Sequence, residues 1–170
     1  MDKSASISRA ARMNFFLNLI NAAPFLIVMI SGLALQVNYH MHRLPDEALV
    51  SGLSRSGWLL LHKTSAALSL AGIIAHCVTH RKQIGATTRR IIKNRSFSKI
   101  MASYYLLLIC IPTAFTAIGS WLLFNPGDAS RRALVEIHDK LGLVLVIVST
   151  VHILSRTGWM IKTGNRLMTR

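Results

Sequence analysis

The sequence predicts an all-α fold, an integral membrane bundle of four helices with both termini cytoplasmic. Three observations lead there. Of the 170 residues, 52% are hydrophobic and only 15% charged, a balance that suits a chain embedded in lipid better than a soluble domain. The apolar residues gather into four stretches, about 14–36, 58–80, 103–124 and 138–161. Each is long enough to cross a hydrocarbon core of about 30 Å, which takes roughly 20 residues of helix. The cations lie between and beyond these stretches, as membrane topology requires.

Helices are expected because open strands or loops at this depth would leave backbone groups unpaired in lipid. The first span carries Asn18, Asn21 and Pro24, then a Ser31-Gly32 pair small enough for a neighbour to approach closely. A basic stretch before an apolar run imitates a secretory signal. This run is too long for a signal core and no clear small-residue cleavage site follows it, so a retained helix is expected. The third span has Pro112 near its centre and Ile118-Gly119-Ser120 near its end. Trp58, Trp121 and Trp159 fall near span ends, where aromatic rings anchor at the interface. Cys77 and Cys110 lie inside spans and read as small buried hydrophobes rather than a disulfide. Residues 1–170 form one domain.

The net charge of +14 suggests nucleic acid only until the cations are placed. The segment from Arg81 to Ile100 holds Arg81, Lys82, Arg89, Arg90, Lys93, Arg95 and Lys99 without an acid, and both termini are basic. These regions are expected in the cytoplasm, with Ile84, Ile91, Ile92 and Phe97 dipping into the interface. The other two connections balance Arg43, Arg55, Arg131 and Arg132 against Asp46, Glu47, Asp128 and Glu136. No nucleic-acid partner is expected.

Histidine is uncommon within membrane spans and usually faces the bundle interior. His62 and His76 are 14 residues apart in the second span, and His138 and His152 repeat that interval in the fourth. An interval of this length returns to nearly the same helix face about 21 Å further along. His62, His76 and His80 recur 76 positions later as His138, His152 and Arg156, as a duplicated hairpin with a longer first loop would give. Both spans run in the same direction, so His62 lies level with His138 and His76 with His152. Two facing histidines per level match the two axial positions of a six-coordinate haem iron. Gly72 and Gly142, with Ala66, Ala67, Ser69 and Ala71, leave room for a flat macrocycle. Lys63, Lys140, Arg131 and Arg132 on one side, and His80, Arg81 and Arg156 on the other, are candidate partners for its propionates. A zinc site at His76 and His80 lacks further ligands at that depth. His40 and His42 are expected to be solvated. With no Cys-x-x-Cys-His run, any haem is held non-covalently.

The runs Trp58-Leu-Leu-Leu-His62 and His76-Cys-Val-Thr-His80, with Glu136-Ile-His138-Asp-Lys-Leu-Gly142 and His152-Ile-Leu-Ser-Arg156, resemble the haem-binding helices of bacterial four-helix cytochromes b. The likeness is to the DUF4405 group, related to the cytochrome b561 and hydrogenase or formate dehydrogenase b-type subunit families, and Ile30 to Leu35 is similar to the end of their first helix. The resemblance implies a haem-bearing bundle serving as electron conduit for a redox partner or quinone, with His62, His76, His138 and His152 as axial ligands. Arg156 stands where the family often has a histidine matching His80, which leaves the role of His80 open.

The expectation is therefore transmembrane electron transfer through two haem b groups in a bacterial inner membrane, as a subunit or docking protein rather than a complete enzyme. No flavin, nicotinamide or iron–sulfur motif accompanies them, so a redox partner protein must supply or accept electrons. A second class is a cofactor-free membrane anchor or assembly protein that holds anionic lipid or a partner through the basic segment. A metal-ion transporter is disfavoured because all six acids lie at span ends or in loops rather than within the membrane.

Overall fold

The computed structural model of the protein describes residues 9–94 and 101–168. All regular elements there are helical: α1 Arg9–Ala34, continued as a π-helical segment Leu35–Met41, then α2 Arg55–Thr79, α3 Arg81–Asn94, α4 Met101–Leu122 and α5 Ala129–Met168. Among the described residues four helices are long and apolar enough to cross a membrane, Ala11–Met41, Arg55–Thr79, Tyr104–Leu122 and Ala129–Met168. The chain is thus a multi-pass, all-α membrane protein.

The apolar stretches mark the spans, but the helices run past them where turn chemistry permits. The fourth span was expected to start near His138, whereas α5 begins at Ala129. Asn125-Pro126-Gly127-Asp128 makes the turn before it: Gly127 takes φ +101°, and the Asp128 carboxylate accepts from the Asn125 N–H at 2.9 Å. At about 1.5 Å per residue α5 reaches about 60 Å, twice the hydrocarbon thickness. Ser54 starts α2 by accepting from the Gly57 N–H at 3.4 Å. The basic connection is itself helical over α3, joined to α2 through His80. Arg95, Phe97 and Lys99 lie outside the described residues.

α1 packs along α2 and α4 along α5, so the bundle is two antiparallel hairpins, and α2 and α5 are not among the closely packed pairs. Burial is inverted relative to a soluble protein. The most enclosed side chains are small and polar, Ser31 and Ser149 foremost, while Phe115 is 78% exposed and Leu154 69%. Hydrocarbon solvates the large apolar groups, and close helix approach selects small residues. Most buried hydroxyls need no neighbouring helix, because Ser65 donates to the Leu61 carbonyl, Thr113 to Ile109 and Ser149 to Leu145 one turn back.

At the end away from the termini the first connection is an ordered cap. Tyr39 is buried and donates to the Ala48 carbonyl at 2.7 Å, Arg55 grips Asp46 through two contacts of 3.0 Å, and Trp58 donates from Nε1 to the Val50 carbonyl at 2.9 Å. Trp58 is therefore buried beneath the connection, not an exposed anchor, while Trp121 and Trp159 remain exposed. At the termini end Gly164 of α5 backs onto the Phe15 ring of α1. Between the ends, Asn21 of α1 donates to the Gly72 carbonyl at 3.1 Å, and a Cβ at Gly72 would collide with the Asn21 side chain.

That contact predicts a double-mutant cycle. Asn21→Ala and Gly72→Ala should each cost about 1–2 kcal/mol, the first by losing the bond and the second by expelling its donor. Together they should cost little more than either alone, because both remove one interaction. Reversible unfolding in mixed micelles measures this; additive costs would show that the two residues are uncoupled.

Candidate functional site

His62 points from α2 into α1. Its Nδ1 lies 3.2 Å from the Val28 carbonyl and 3.2 Å from Ser31 Oγ. Ser31 donates its own proton to the Ile27 carbonyl at 2.7 Å, so its oxygen accepts from the imidazole. Gly32 permits the approach: a Cβ there would stand 3.1 Å from His62 Cε1. His138 is held likewise in the second hairpin, with Nδ1 3.0 Å from the Thr113 carbonyl of α4. A carbonyl oxygen only accepts, so both rings carry their proton on Nδ1 and keep the Nε2 lone pair free. A hydrogen bond from Nδ1 to a carbonyl fixes the orientation and tautomer of each ring.

The rings of His62 and His138 face one another across the gap between hairpins, centres 6.2 Å apart and planes at 74°. With a metal–imidazole bond of about 2 Å and roughly 1 Å more to the ring centre, two imidazoles trans across one metal ion have centres about 6 Å apart. The observed separation is of that size. Ser69, midway along α2 between His62 and His76, is 5% exposed, and its hydroxyl has no hydrogen-bond partner in the described structure.

At the second level His76 makes its ring contact with His80, centres 4.5 Å apart and planes at 44°. His152 and Arg156 of α5 are near enough to act on it electrostatically. The ring neighbour of His76 is thus His80, at the end of α2, which the spacing alone does not suggest. Among the described residues no group of three His, Cys, Asp or Glu converges as a protein-only metal site would require.

The flanking candidates divide. Gly142 has open space where a Cβ would stand, whereas the clearance at Gly72 is taken by Asn21 of α1. Lys63 places its ammonium 4.9 Å from the centre of the Trp121 ring, and Lys140 pairs with Glu136 at 3.0 Å. His40 is exposed, as expected, and it also joins the two hairpins, its Nδ1 2.8 Å from Asp139 beside His138. His42 folds back onto the Val37 carbonyl at 2.6 Å. The Ser31-Gly32 pair signalled a close approach in the sequence; that the approaching group is His62 had no sequence signal.

The tautomers can be read directly. In protein labelled with 15N-histidine, the neutral forms of His62 and His138 should carry the proton on Nδ1, assigned by comparison with His62→Gln and His138→Gln. A proton on Nε2 in either would remove the carbonyl bonds described above. No family model, no curated protein and no solved structure matches the chain, so the site is read from its own geometry.

Proposed function

We propose that the protein carries electrons across a bacterial inner membrane through two non-covalent b-type haems, as a membrane subunit or docking protein for a redox partner. The observation that carries this is the His62–His138 pair, facing at 6.2 Å with each Nδ1 bonded to a backbone carbonyl of the preceding helix. Haem, when bound, supplies one-electron redox chemistry that no side chain here provides. His62 and His138 would hold one iron, and His76 with His152 the other. The carbonyl bonds from Val28 and Thr113 orient the first pair and raise the basicity of Nε2. Gly142 leaves clearance beside His138. Lys63 and Lys140 are available to propionates in competition with Trp121 and Glu136. His80 and Arg156 place further cationic or donor groups at the second level. The resemblance to bacterial four-helix cytochromes b supports the same reading, with quinone as a further exchange partner.

In this reading the termini end is cytoplasmic. The described cations there, including Arg9, Arg12, Arg81, Lys82, Arg89, Lys162 and Arg166, meet no described acid, and Asp46, Glu47, Asp128, Glu136 and Asp139 lie toward the other end. The same charge favours anionic membrane lipid along α3, and on that ground a cofactor-free anchor is the second reading. An absorption spectrum with and without dithionite separates the two.

For orientation, a cysteine placed at Thr88 in α3 should resist an impermeant thiol reagent in intact cells and react after permeabilisation. Reaction in intact cells would reverse the topology. For cofactor content, pyridine haemochrome assay should find about two haems per chain in the parent protein and about one in each single histidine-to-alanine variant. The ligand levels are about 21 Å apart, so losses at the two should be nearly independent. His76→Ala with His152→Ala should keep one haem, and His62→Ala with His76→Ala none. A parent free of haem under haem-replete expression, or loss of both haems from the cross-helix pair, would refute the assignment.

A further inference from the structure

At the end away from the termini, the π-helical segment, the start of α2 and the start of α5 border an open, solvent-facing cavity of about 640 Å³ lined in part by His40, Arg55, Arg131, Arg132, Glu136 and Asp139. Three of its charged groups already have partners. Asp139 is taken by His40 at 2.8 Å, Glu136 by Lys140 at 3.0 Å, and Arg55 by Asp46 at 3.0 Å. Arg131 and Arg132 form no ion pair with any described residue.

Arg131 and Arg132 are consecutive on α5, Arg131 half-buried and Arg132 exposed. They also stand near the start of α5, where the helix dipole adds positive potential and the first turn holds no acid. An oxyanion there would be favoured by both cations and by the dipole. Arginine suits that role because its planar fork matches a carboxylate or phosphate with paired hydrogen bonds. The cavity is of small-molecule size. Arg131 and Arg132 precede His138 by about two turns of helix, which places them roughly 10 Å nearer the aqueous side than the histidine level.

We propose that this cavity binds a small soluble molecule bearing a carboxylate or phosphate group, held by Arg131 and Arg132. None of its residues is one of the four histidines, so the inference stands whether or not the haem reading does. A lipid headgroup or a haem propionate carries the same oxyanion chemistry, and the test must separate these sources.

The full-length protein in phosphatidylcholine nanodiscs is titrated with citrate and with inorganic phosphate by calorimetry. Saturable binding of at least one probe is expected, weakened about tenfold or more by Arg131→Gln with Arg132→Gln and unchanged by Arg43→Gln in the neighbouring connection. Should the glutamine variant lose helical circular dichroism, Arg131→Lys with Arg132→Lys keeps the charge and should bind measurably more weakly than the parent. The absence of saturable binding of both probes overturns the proposal, as does equal affinity in the variants. Binding abolished by adding phosphatidylglycerol to the nanodiscs would assign the site to lipid. Binding confined to haem-free protein would assign it to a propionate, and either result also overturns the soluble ligand.

Discussion

A histidine inside a hydrocarbon layer has to place one donor and one acceptor nitrogen without help from water. His62 and His138 meet half of that demand within their own hairpins, donating Nδ1–H to the Val28 and Thr113 carbonyls. These bonds require each histidine-bearing helix to lie close to the helix before it, and the small residues serve that closeness. Gly32 admits the His62 ring, and Ser31 turns its own proton back to Ile27 so that its oxygen faces the imidazole. The acceptor nitrogens remain, and neither hairpin alone satisfies them.

The packing follows from this division of partners. Within each hairpin, small side chains bring the backbones together, and most buried hydroxyls bond one turn back along their own helix. Little directional attraction is therefore left to draw α2 against α5. Large apolar side chains face outward because lipid solvates them as well as a protein core would. The hairpins are linked instead at their extremities, by His40 to Asp139 at one end and by Phe15 against Gly164 at the other. Links at the ends with slack packing between them keep the two histidine helices side by side without closing the space that separates their rings.

The existence of four helices and the matched depth of the histidines were legible in the sequence because both depend on simple periods, the length of an apolar run and the rise of a helix. Helix ends were less legible. Arg131, Arg132 and Glu136 read as loop residues by charge, yet the Asn-Pro-Gly-Asp turn starts α5 before them, and a helix outside the hydrocarbon carries no apolar signature. Gly72 illustrates another limit. Composition shows that room exists at a glycine, but only the packing of Asn21 shows which neighbour uses it. The partnership of His40 with Asp139 spans 99 residues, and neither residue has a local pattern that names the other. For the second histidine level the spacing did not anticipate the ring contact of His76 with His80, where α2 ends.

The repeated histidine interval gains a physical counterpart in the carbonyl bonds. His62 reaches a carbonyl 34 residues earlier and His138 one 25 residues earlier, so the same contact recurs in both hairpins with nine residues more in the first. The longer connection of the first hairpin, with its π-helical segment and the cap formed by Tyr39, Arg55 and Trp58, holds that surplus. Two hairpins built to one plan and laid side by side make α2 and α5 parallel, which brings His62 level with His138. Had the helices run antiparallel, His62 would face the depth of His152, and the 6.2 Å approach of the two carbonyl-bound rings could not form. Shared polarity is therefore what brings His62 and His138 to one level, while the unequal connections make the surface at that end of the bundle asymmetric beside Arg131 and Arg132.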